Sequence, residues 1–339
     1  MKEIDAMGGL SWRDRAVLIA LPVLAVFATM AVGRMSLPPA EVLKAVIGRL
    51  TGSAAVSPQE TTVVFSIRLP RILLALLVGA GLSVAGCAFQ SLFSNPLATP
   101  DTLGVASGAS FGAAVALLLG FHLVGVQVLA FACGVAAVLL TWISSAGKGG
   151  INTMILAGIM VGSLFSALVS LVKFTADTES QLPAITYWLM GSLNSAGYGP
   201  LALGAPPILA GILILYLLRW RMNILPLPDD DARALGTNLH LLRALTVVCA
   251  TAITASCVSM CGQVGWVGLL VPHLCRMKFG SNHMALIPAS VCVGATFMVL
   301  VDTVARSATS SEIPVSILTA MIGAPFFIVL MRRTQGWRL

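Results

Sequence analysis

Three consecutive carboxylates, Asp229, Asp230 and Asp231, form the densest group of reactive side chains, and they lie in a polar interval over residues 226–243. Such carboxylates could hold Mg²⁺ and a diphosphate. Neighbouring residues on a helix point about 100° apart, however, and metal–diphosphate sites draw carboxylates from separated turns or from a second cluster, which the sequence lacks. The sequence also has no GxxxxGK[ST] motif, so it predicts no nucleotide site.

The other candidate metal ligands are dispersed along the chain. Seven cysteines fall inside or beside apolar runs without a CxxC pair, which predicts buried thiols and neither a disulfide framework nor a metal site. The four histidines lie in different segments, where interfacial or packing roles are expected. They are His122, His240, His273 and His283. We therefore expect no metal or cofactor on this chain.

The elements that position these residues are membrane helices. Hydrophobic residues make up 58% of the 339 residues and charged residues 10%, with a mean hydropathy of +0.95, whereas soluble domains carry about 25% charged residues. The chain is thus predicted to be an all-α polytopic membrane protein with one transmembrane domain over residues 1–339. The net charge of +7 is scattered between apolar spans and does not form a nucleic-acid-binding face.

Apolar runs of the length that crosses a bilayer recur about ten times. They cover residues 16–32, 72–93, a third run that ends at Phe121, 123–143, 152–174, 201–218, 246–262, a half-length run at 266–275, 284–301 and 314–331. Residues 34–66 are an amphipathic or loop-like connection, and their role is not legible from the sequence. The half-length run cannot cross lipid alone and is expected to be buried in protein.

Glycines four residues apart occur in two of the runs. Gly104, Gly108 and Gly112 form one series, and Gly158 and Gly162 form another. This spacing makes a flat stripe of small residues on a helix, and such stripes let another backbone approach closely. The pattern predicts closely packed interior helices.

The distribution of basic residues predicts the orientation. With ten spans and the N-terminus inside, 13 of the 20 lysines and arginines are cytoplasmic. The positive-inside rule therefore favours cytoplasmic termini and a cytoplasmic interval 226–243. Arg68, Arg71 and Arg306 fall on the outer side, where Asp302 and Arg306 are four apart and can pair.

The interval 226–243 reads as a short surface helix. Pro226 and Pro228 end the preceding helix, the aspartates supply an N-cap and a negatively charged first turn, and Gly236 ends the segment. Two interpretations stay open from these residues: a solvated connection, or a lever that a soluble partner grips.

Two segments in the two halves of the chain echo each other. Residues 95–100 and 268–272 each follow a long span, contain proline and open a short helix. Because five spans separate them, they run in opposite directions, as in the inverted repeats of many transporters.

Several motifs, taken together and in this order, resemble the permease subunits of bacterial ATP-driven importers for ferric siderophores, haem and vitamin B12. They are Arg68-Leu69-Pro70-Arg71, Asn95-Pro96-Leu97-Ala98 with Leu103-Gly104, Ile155-Leu156-Ala157-Gly158, Trp188-Leu189-Met190-Gly191-Ser192-Leu193, Ala234-Leu235-Gly236, Gly265-Trp266-Val267-Gly268-Leu269 with Pro272-His273, Asp302 to Arg306, and Gly323-Ala324-Pro325-Phe326.

The resemblance implies a homodimeric permease in the bacterial inner membrane, with ten helices per subunit. Its partners are two cytoplasmic ATPase subunits, which carry ATP and Mg²⁺, and an extracytoplasmic binding protein. The permease itself is not an enzyme. The implied cargo is a metal chelate, with a ferric siderophore ranked first, haem or cobalamin next, and an oxyanion such as molybdate as a minority possibility.

The resemblance also assigns roles to residues. The ATPase-coupling surface is Asp230, Asp231, Arg233, Ala234, Leu235 and Gly236. The arginines that dock the binding protein are Arg68, Arg71 and Arg306, and the cytoplasmic gate is formed by Asn95, Leu97, Asn152 and Thr153.

Two other classes of function compete with this interpretation. An ion-coupled secondary transporter or channel usually has ionisable groups deep inside its spans, whereas nearly all of those in this sequence lie at span ends. An intramembrane Mg-dependent enzyme would have to use the aspartate run, and its geometry is unsuitable.

Overall fold

The computed structural model describes residues 9–33, 37–51, 58–145 and 150–333, and within them the chain is helical with no strand. Lys2, Arg34, Lys148 and Arg338, which entered the orientation count, lie outside the described residues. The helices are α1 (Trp12–Ala31), α2 (Pro39–Thr51), α3 (Pro58–Thr62), α4 (Leu69–Leu92), α5 (Val105–Leu118), α6 (Leu123–Ser145), α7 (Ile151–Thr175), α8 (Gln181–Leu189), α9 (Tyr198–Met222), α10 (Asp229–Ala234), α11 (Leu239–Cys261), α12 (Val267–Phe279), α13 (His283–Ser307) and α14 (Val315–Arg333).

Each predicted span contains a helix, but the helices differ in length. Seven helical segments of the described chain are long and apolar enough to cross a membrane, and α5, α12 and α14 are shorter or less apolar. The number of crossings therefore remains a prediction.

The second predicted span begins earlier than expected. A continuous helical segment covers Gln59–Leu92, with a π-helical turn at Val63–Arg68. The sequence interpretation started this span at residue 72, where the apolar run follows the Arg68-Leu69-Pro70-Arg71 motif. Pro70 does not interrupt this segment, and it directly follows the π-helical turn, where the backbone hydrogen-bond pattern changes.

Helix α4 is the centre of the bundle. Within its most apolar window 83% of the residues are buried, compared with 17% in α1, 22% in α9 and 33% in both α6 and α7. Helices α11 and α13 pack against α4 and are also largely buried. The helices that are exposed in this single chain carry apolar side chains outward, as expected for surfaces that face lipid or another subunit.

Glycine brings several helices into close contact. A Cβ added to Gly108 would lie 2.6 Å from the Cys133 carbonyl oxygen and 2.6 Å from the Ala137 Cβ, both in α6. A Cβ added to Gly112 would overlap the Leu129 carbonyl of the same helix. Gly158 likewise packs against the Thr102 carbonyl. Gly162 is different, because its nearest neighbour for an added Cβ is Ser107 Oγ at 3.7 Å, an ordinary contact.

The helices α5 and α12 begin inside the bundle, where the chain is interrupted. The segments that the sequence paired as echoes meet here, since Gly268 packs against Pro100 with 2.5 Å between an added Cβ and the proline Cγ. Trp266 precedes α12 in the left-handed region at φ +68°. Gln90 Nε2 donates to the Gly268 carbonyl over 3.2 Å, and such bonds satisfy backbone groups where a buried helix is broken.

Candidate coupling, gate and docking sites

Helix α10 is the short surface helix that the polar interval predicted. Its first turn carries the three aspartates, which suits the positive end of a helix dipole. Pro228, and not an aspartate, occupies the N-cap position, and no side chain caps the helix. Ala232 is fully buried against the rest of the chain. The residues assigned to ATPase coupling are all exposed, namely Asp230, Asp231, Arg233, Ala234, Leu235 and Gly236.

One ion pair fastens α10 to the start of α11. The Arg243 guanidinium donates to both carboxylate oxygens of Asp229, at 2.7 and 3.3 Å. The hydrogen bond from Arg243 lowers the pKa of Asp229 below its ordinary value. Arg233 and Asp230 are 4.0 Å apart and their side chains are exposed, so that pair contributes little.

Gly236 ends the α10 segment with an open turn. Its φ is +70°, a conformation that favours glycine, and no atom lies within 4 Å of an added Cβ. The preceding Leu235 is 63% exposed. A backbone turn and an apolar side chain thus project from the predicted cytoplasmic face, a shape that a cleft in a partner can receive.

The residues assigned to the gate are exposed at the ends of two elements. Asn95 and Leu97 lie in the turn after α4, where Asn95 Oδ1 accepts a hydrogen bond from the Leu97 N–H at 2.9 Å. Asn152 and Thr153 lie in the first turn of α7. No hydrogen bond joins the two pairs within the part of the chain that the structure describes.

The three arginines assigned to docking converge at the predicted outer end of α1, α4 and α13. They are buried, with exposures of 3% for Arg68, 7% for Arg71 and 7% for Arg306. This differs from the expectation that their guanidinium groups face outward. The reason is that each has a partner inside the chain.

Arg71 is the centre of this arginine cluster. It contacts Asp302 through three hydrogen bonds of 2.9 to 3.1 Å and Glu312 through one of 2.9 Å. Arg306 donates to the Thr29 carbonyl at 2.8 Å and lies 3.8 Å from Asp302, the pair predicted from the spacing. Arg68 donates to the Met30 carbonyl. The cluster therefore joins α1, α4 and α13.

A hydroxyl-lined groove of about 460 Å³ opens on the exposed face of α7. Thr99, Thr102, Ser107, Ser163 and Ser166 line it, together with Asp101, Gly158, Ile159 and Gly162. Hydroxyl groups both donate and accept hydrogen bonds, so this groove can contact a polar solute inside the membrane.

The described part of the chain offers few other groups that could bind a metal ion. Among the described residues, no three His, Cys, Asp or Glu side chains are grouped closely enough to hold a metal ion. The seven cysteines are free thiols, and they are buried or half-buried.

Comparison with known proteins identifies the family of this chain. The FecCD transport family matches residues 20–333. The chain belongs to the FecCD transport family. This FecCD chain is therefore a permease of an ABC importer, a multi-pass protein of the bacterial inner membrane. It is a transport component and not an enzyme.

Individual relatives of this FecCD permease are similar over most of their length. The molybdate import system permease protein MolB of Haemophilus influenzae is 41% identical over 320 residues, 94% of this chain and 95% of MolB. A probable iron chelatin transport system permease protein of Helicobacter pylori is 39% identical over 81% of this chain and 83% of its own. A solved inward-facing structure of a putative metal-chelate type ABC transporter has a TM-score of 0.86 at 40% identity, covering 95% of this chain and 99% of that one.

The sequence did not reveal one polar network of this FecCD permease. The ring of His283 lies between Ser91 Oγ, with which its Nε2 forms a hydrogen bond, and Asn223 Oδ1, which is 2.8 Å from its Nδ1. The Asn223 amide continues to Asn282 Oδ1 at 3.0 Å. These contacts join the ends of α4, α9 and α13 between the gate turn and α10. Ser91 and His283 are 192 residues apart, so no local spacing signals their contact.

Proposed function

We propose that this chain works as one of two identical permease subunits, with the translocation path between them. Two cytoplasmic ATPase subunits bind ATP and Mg²⁺, and this chain binds no cofactor. An extracytoplasmic binding protein delivers the cargo to the outer end. The observation that carries the proposal is α10, an exposed helix that ends in an open glycine turn and is fastened to a long span by an ion pair.

The mechanism is the transmission of movement. ATP binding draws the ATPase subunits together, and they move α10 by its exposed residues Leu235 and Gly236. The Asp229–Arg243 ion pair carries this movement to α11. The gate at Asn95, Leu97, Asn152 and Thr153 then opens or closes, so that the path is exposed alternately to the two sides of the membrane.

Docking of the binding protein takes place at the outer end, near Arg68, Arg71 and Arg306. Because Glu312 already forms an ion pair with Arg71, a carboxylate of the binding protein has to replace an internal carboxylate in order to bind Arg71. Glu312 is the replaceable one, since its side chain is 16% exposed whereas that of Asp302 is 2% exposed.

The proposed cargo is an anionic metal species, either a ferric siderophore or molybdate, with haem and cobalamin as further candidates. The names of two relatives support this class, since one contains molybdate and the other contains iron chelatin. The hydroxyl-lined groove on α7 does not distinguish the candidates, because it combines hydroxyl groups, which can bind the oxygen atoms of either species, with the Asp101 carboxylate, which repels anions.

The test is reconstitution of the permease in liposomes with its ATPase subunit and binding protein. ATP hydrolysis and uptake are measured with molybdate, a ferric siderophore, haem and cobalamin added separately. One loaded binding protein should stimulate ATP hydrolysis, and Gly236→Trp should abolish this stimulation. Cargo uptake without any ATPase subunit would instead show an ion-coupled carrier or channel.

Gly120→Trp is the matched control. Gly120 also has a positive φ, +72°, and open space around an added Cβ, but it lies in the turn between α5 and α6, at the opposite end of the bundle by the predicted orientation. The two variants share the same backbone strain, but Gly120 lies at the end where the binding protein docks, so the readout is binding of the ATPase subunit to the purified permease in the absence of the binding protein. Equal losses in both variants would contradict the assignment of Gly236 to the ATPase contact.

A further inference from the structure

A cavity of about 380 Å³ lies beside α10, where the spans α9 and α11 end. Its apolar lining includes Leu218, Leu242 and Leu245, and its polar lining consists of Arg221, Thr237 and Asn238. Trp220, which also lines it, is 65% exposed. An exposed tryptophan and an arginine at the end of an apolar helix mark the level of the membrane–water interface.

The polar groups of this cavity are hydrogen-bond donors without partners in the described chain. Arg221 forms no ion pair with any described residue, and the Thr237 hydroxyl has no hydrogen bond there. Asn238 uses its Oδ1 to accept from the Leu241 N–H at 3.0 Å, which leaves its amide nitrogen free. Among the described residues that line the cavity, Arg221 is the only charged one, so the charge at the site is positive.

The neighbouring Arg219, at the same level of the membrane, has its partners within the chain. Its guanidinium donates to the Tyr216 carbonyl at 2.6 Å and lies 3.9 Å over the Tyr216 ring. Asp229, the nearby carboxylate at the start of α10, is engaged by Arg243. Arg221, which is exposed and has no ion-pair partner among the described residues, is thus free to contact a ligand from outside the chain.

We propose that this cavity binds the headgroup of an anionic phospholipid of the predicted cytoplasmic leaflet. The phosphate contacts Arg221, Thr237 and Asn238, which supply a guanidinium, a hydroxyl and an amide donor. The upper acyl chains lie along Leu218, Leu241 and the outer face of α9. The cavity volume is at the small end of the range of about 300–1,000 Å³ for ligand sites, which suits a headgroup and not a whole lipid.

The consequence is that lipid composition acts on the coupling element. Leu235 and Gly236 border the same cavity, so a bound headgroup supports the turn after α10 from the membrane side. In the proposed function the ATPase subunit also contacts Leu235 and Gly236, so the lipid and the ATPase subunit border the same turn. The lipid site itself does not depend on the proposed transport function, because it requires only this chain and a bilayer.

The test uses the purified full chain in detergent, without partner subunits. Native mass spectrometry measures retention of phosphatidylglycerol and phosphatidylcholine with identical acyl chains. We expect preferential retention of phosphatidylglycerol, and a loss of about fivefold in its affinity for Arg221→Gln, the effect of one basic contact near a membrane surface. Arg219→Gln is the matched control and should retain the wild-type preference, and Arg221→Lys should retain most of it.

Leu241→Trp provides a second variant that leaves the polar groups intact. Leu241 is 56% exposed at the cavity, and the larger side chain should obstruct the acyl chains and weaken both lipids. The proposal is overturned if the two lipids are retained equally, if Arg219→Gln and Arg221→Gln lose the same amount, or if inorganic phosphate displaces phosphatidylglycerol. It is also overturned if the ATPase subunit displaces the lipid, since the cavity then belongs to that protein interface.

Discussion

The substitution Gly108→Ala tests how much stability is lost when the close contact between helices α5 and α6 is overpacked. The added methyl group would lie 2.6 Å from the Cys133 carbonyl oxygen and from the Ala137 Cβ, whereas an ordinary contact begins at 3.4 Å. Helices α5 and α6 would therefore have to separate by several tenths of an ångström. Overpacking of this kind costs about 1–3 kcal/mol.

Gly162→Ala is the internal control for this prediction. Gly108 and Gly162 both belong to series spaced by four and both lie in helices. Replacing either with alanine therefore stabilises its helix by about 0.5–1 kcal/mol through helix propensity alone. At Gly162 the added methyl group has its nearest neighbour at 3.7 Å, so only the gain remains. Because both variants share this gain, it cancels, and they should differ by the overpacking cost alone, about 1–3 kcal/mol.

Thermal unfolding of the purified permease in detergent, followed by loss of the monodisperse species, measures the difference. We expect Gly108→Ala to unfold about 2–12 °C below Gly162→Ala, since 1 kcal/mol shifts the midpoint by about 2–4 °C in large domains. Gly162→Ala should unfold at or above the wild-type temperature. Equal midpoints for the two variants, or a lower one for Gly162→Ala, would refute the reasoning from contact distances.

Three further predictions follow from polar contacts. Arg71→Ala leaves Asp302 and Glu312 without their guanidinium and should destabilise the protein by about 3–5 kcal/mol in thermal unfolding. The double variant Arg71→Met/Glu312→Leu keeps the Asp302–Arg306 pair and should recover much of this, and failure to do so would contradict the charge argument. His283→Ala removes the bridge between Ser91 and Asn223 and should lower the free energy of unfolding by about 2–4 kcal/mol, as equilibrium unfolding can measure. The control Ser83→Ala should cost less, because the Ser83 hydroxyl bonds only to a carbonyl of its own helix. The pKa of Asp229 is lowered, so its ion pair stabilises α10 fully above the unfolded value of 3.8 and loses this effect as pH falls through the lower folded value. Hydrogen-exchange protection at residues 229–243, measured relative to the intrinsic exchange rate at each pH, should fall in acid; Asp229→Asn should lack this protection at every pH, whereas Asp230→Asn should behave as wild type.

The parts of the fold that local sequence determines were predictable. Long apolar runs identified the long helices, because no soluble element needs about 20 such residues in succession. Pro228, the aspartate run and Gly236 predicted α10 to within about two residues, since each acts on its immediate neighbours. The half-length run at 266–275 likewise proved to be the short helix α12.

The parts that depend on distant partners were not predictable. Nothing near Arg71 in sequence indicates that Asp302 and Glu312 will enclose it, so its exposure was overestimated. Ser91, His283 and Asn223 come from three separate helix ends and show no shared pattern. Gly158 and Gly162 belong to the same series, and only the path of residues 99–104 makes the first one crowded and leaves the second one room.

The ion pair between Arg71 and Asp302 has a consequence for how the protein is made. Its two residues are 231 positions apart, and a ribosome adds about 5–20 residues per second, so Arg71 emerges roughly 10–50 s before its carboxylate exists. During that interval the arginine has to remain at the bilayer surface, where its long side chain can reach water. The outer end of α4 can therefore settle into the bundle only after α13 has been inserted, and the centre of the molecule is completed last.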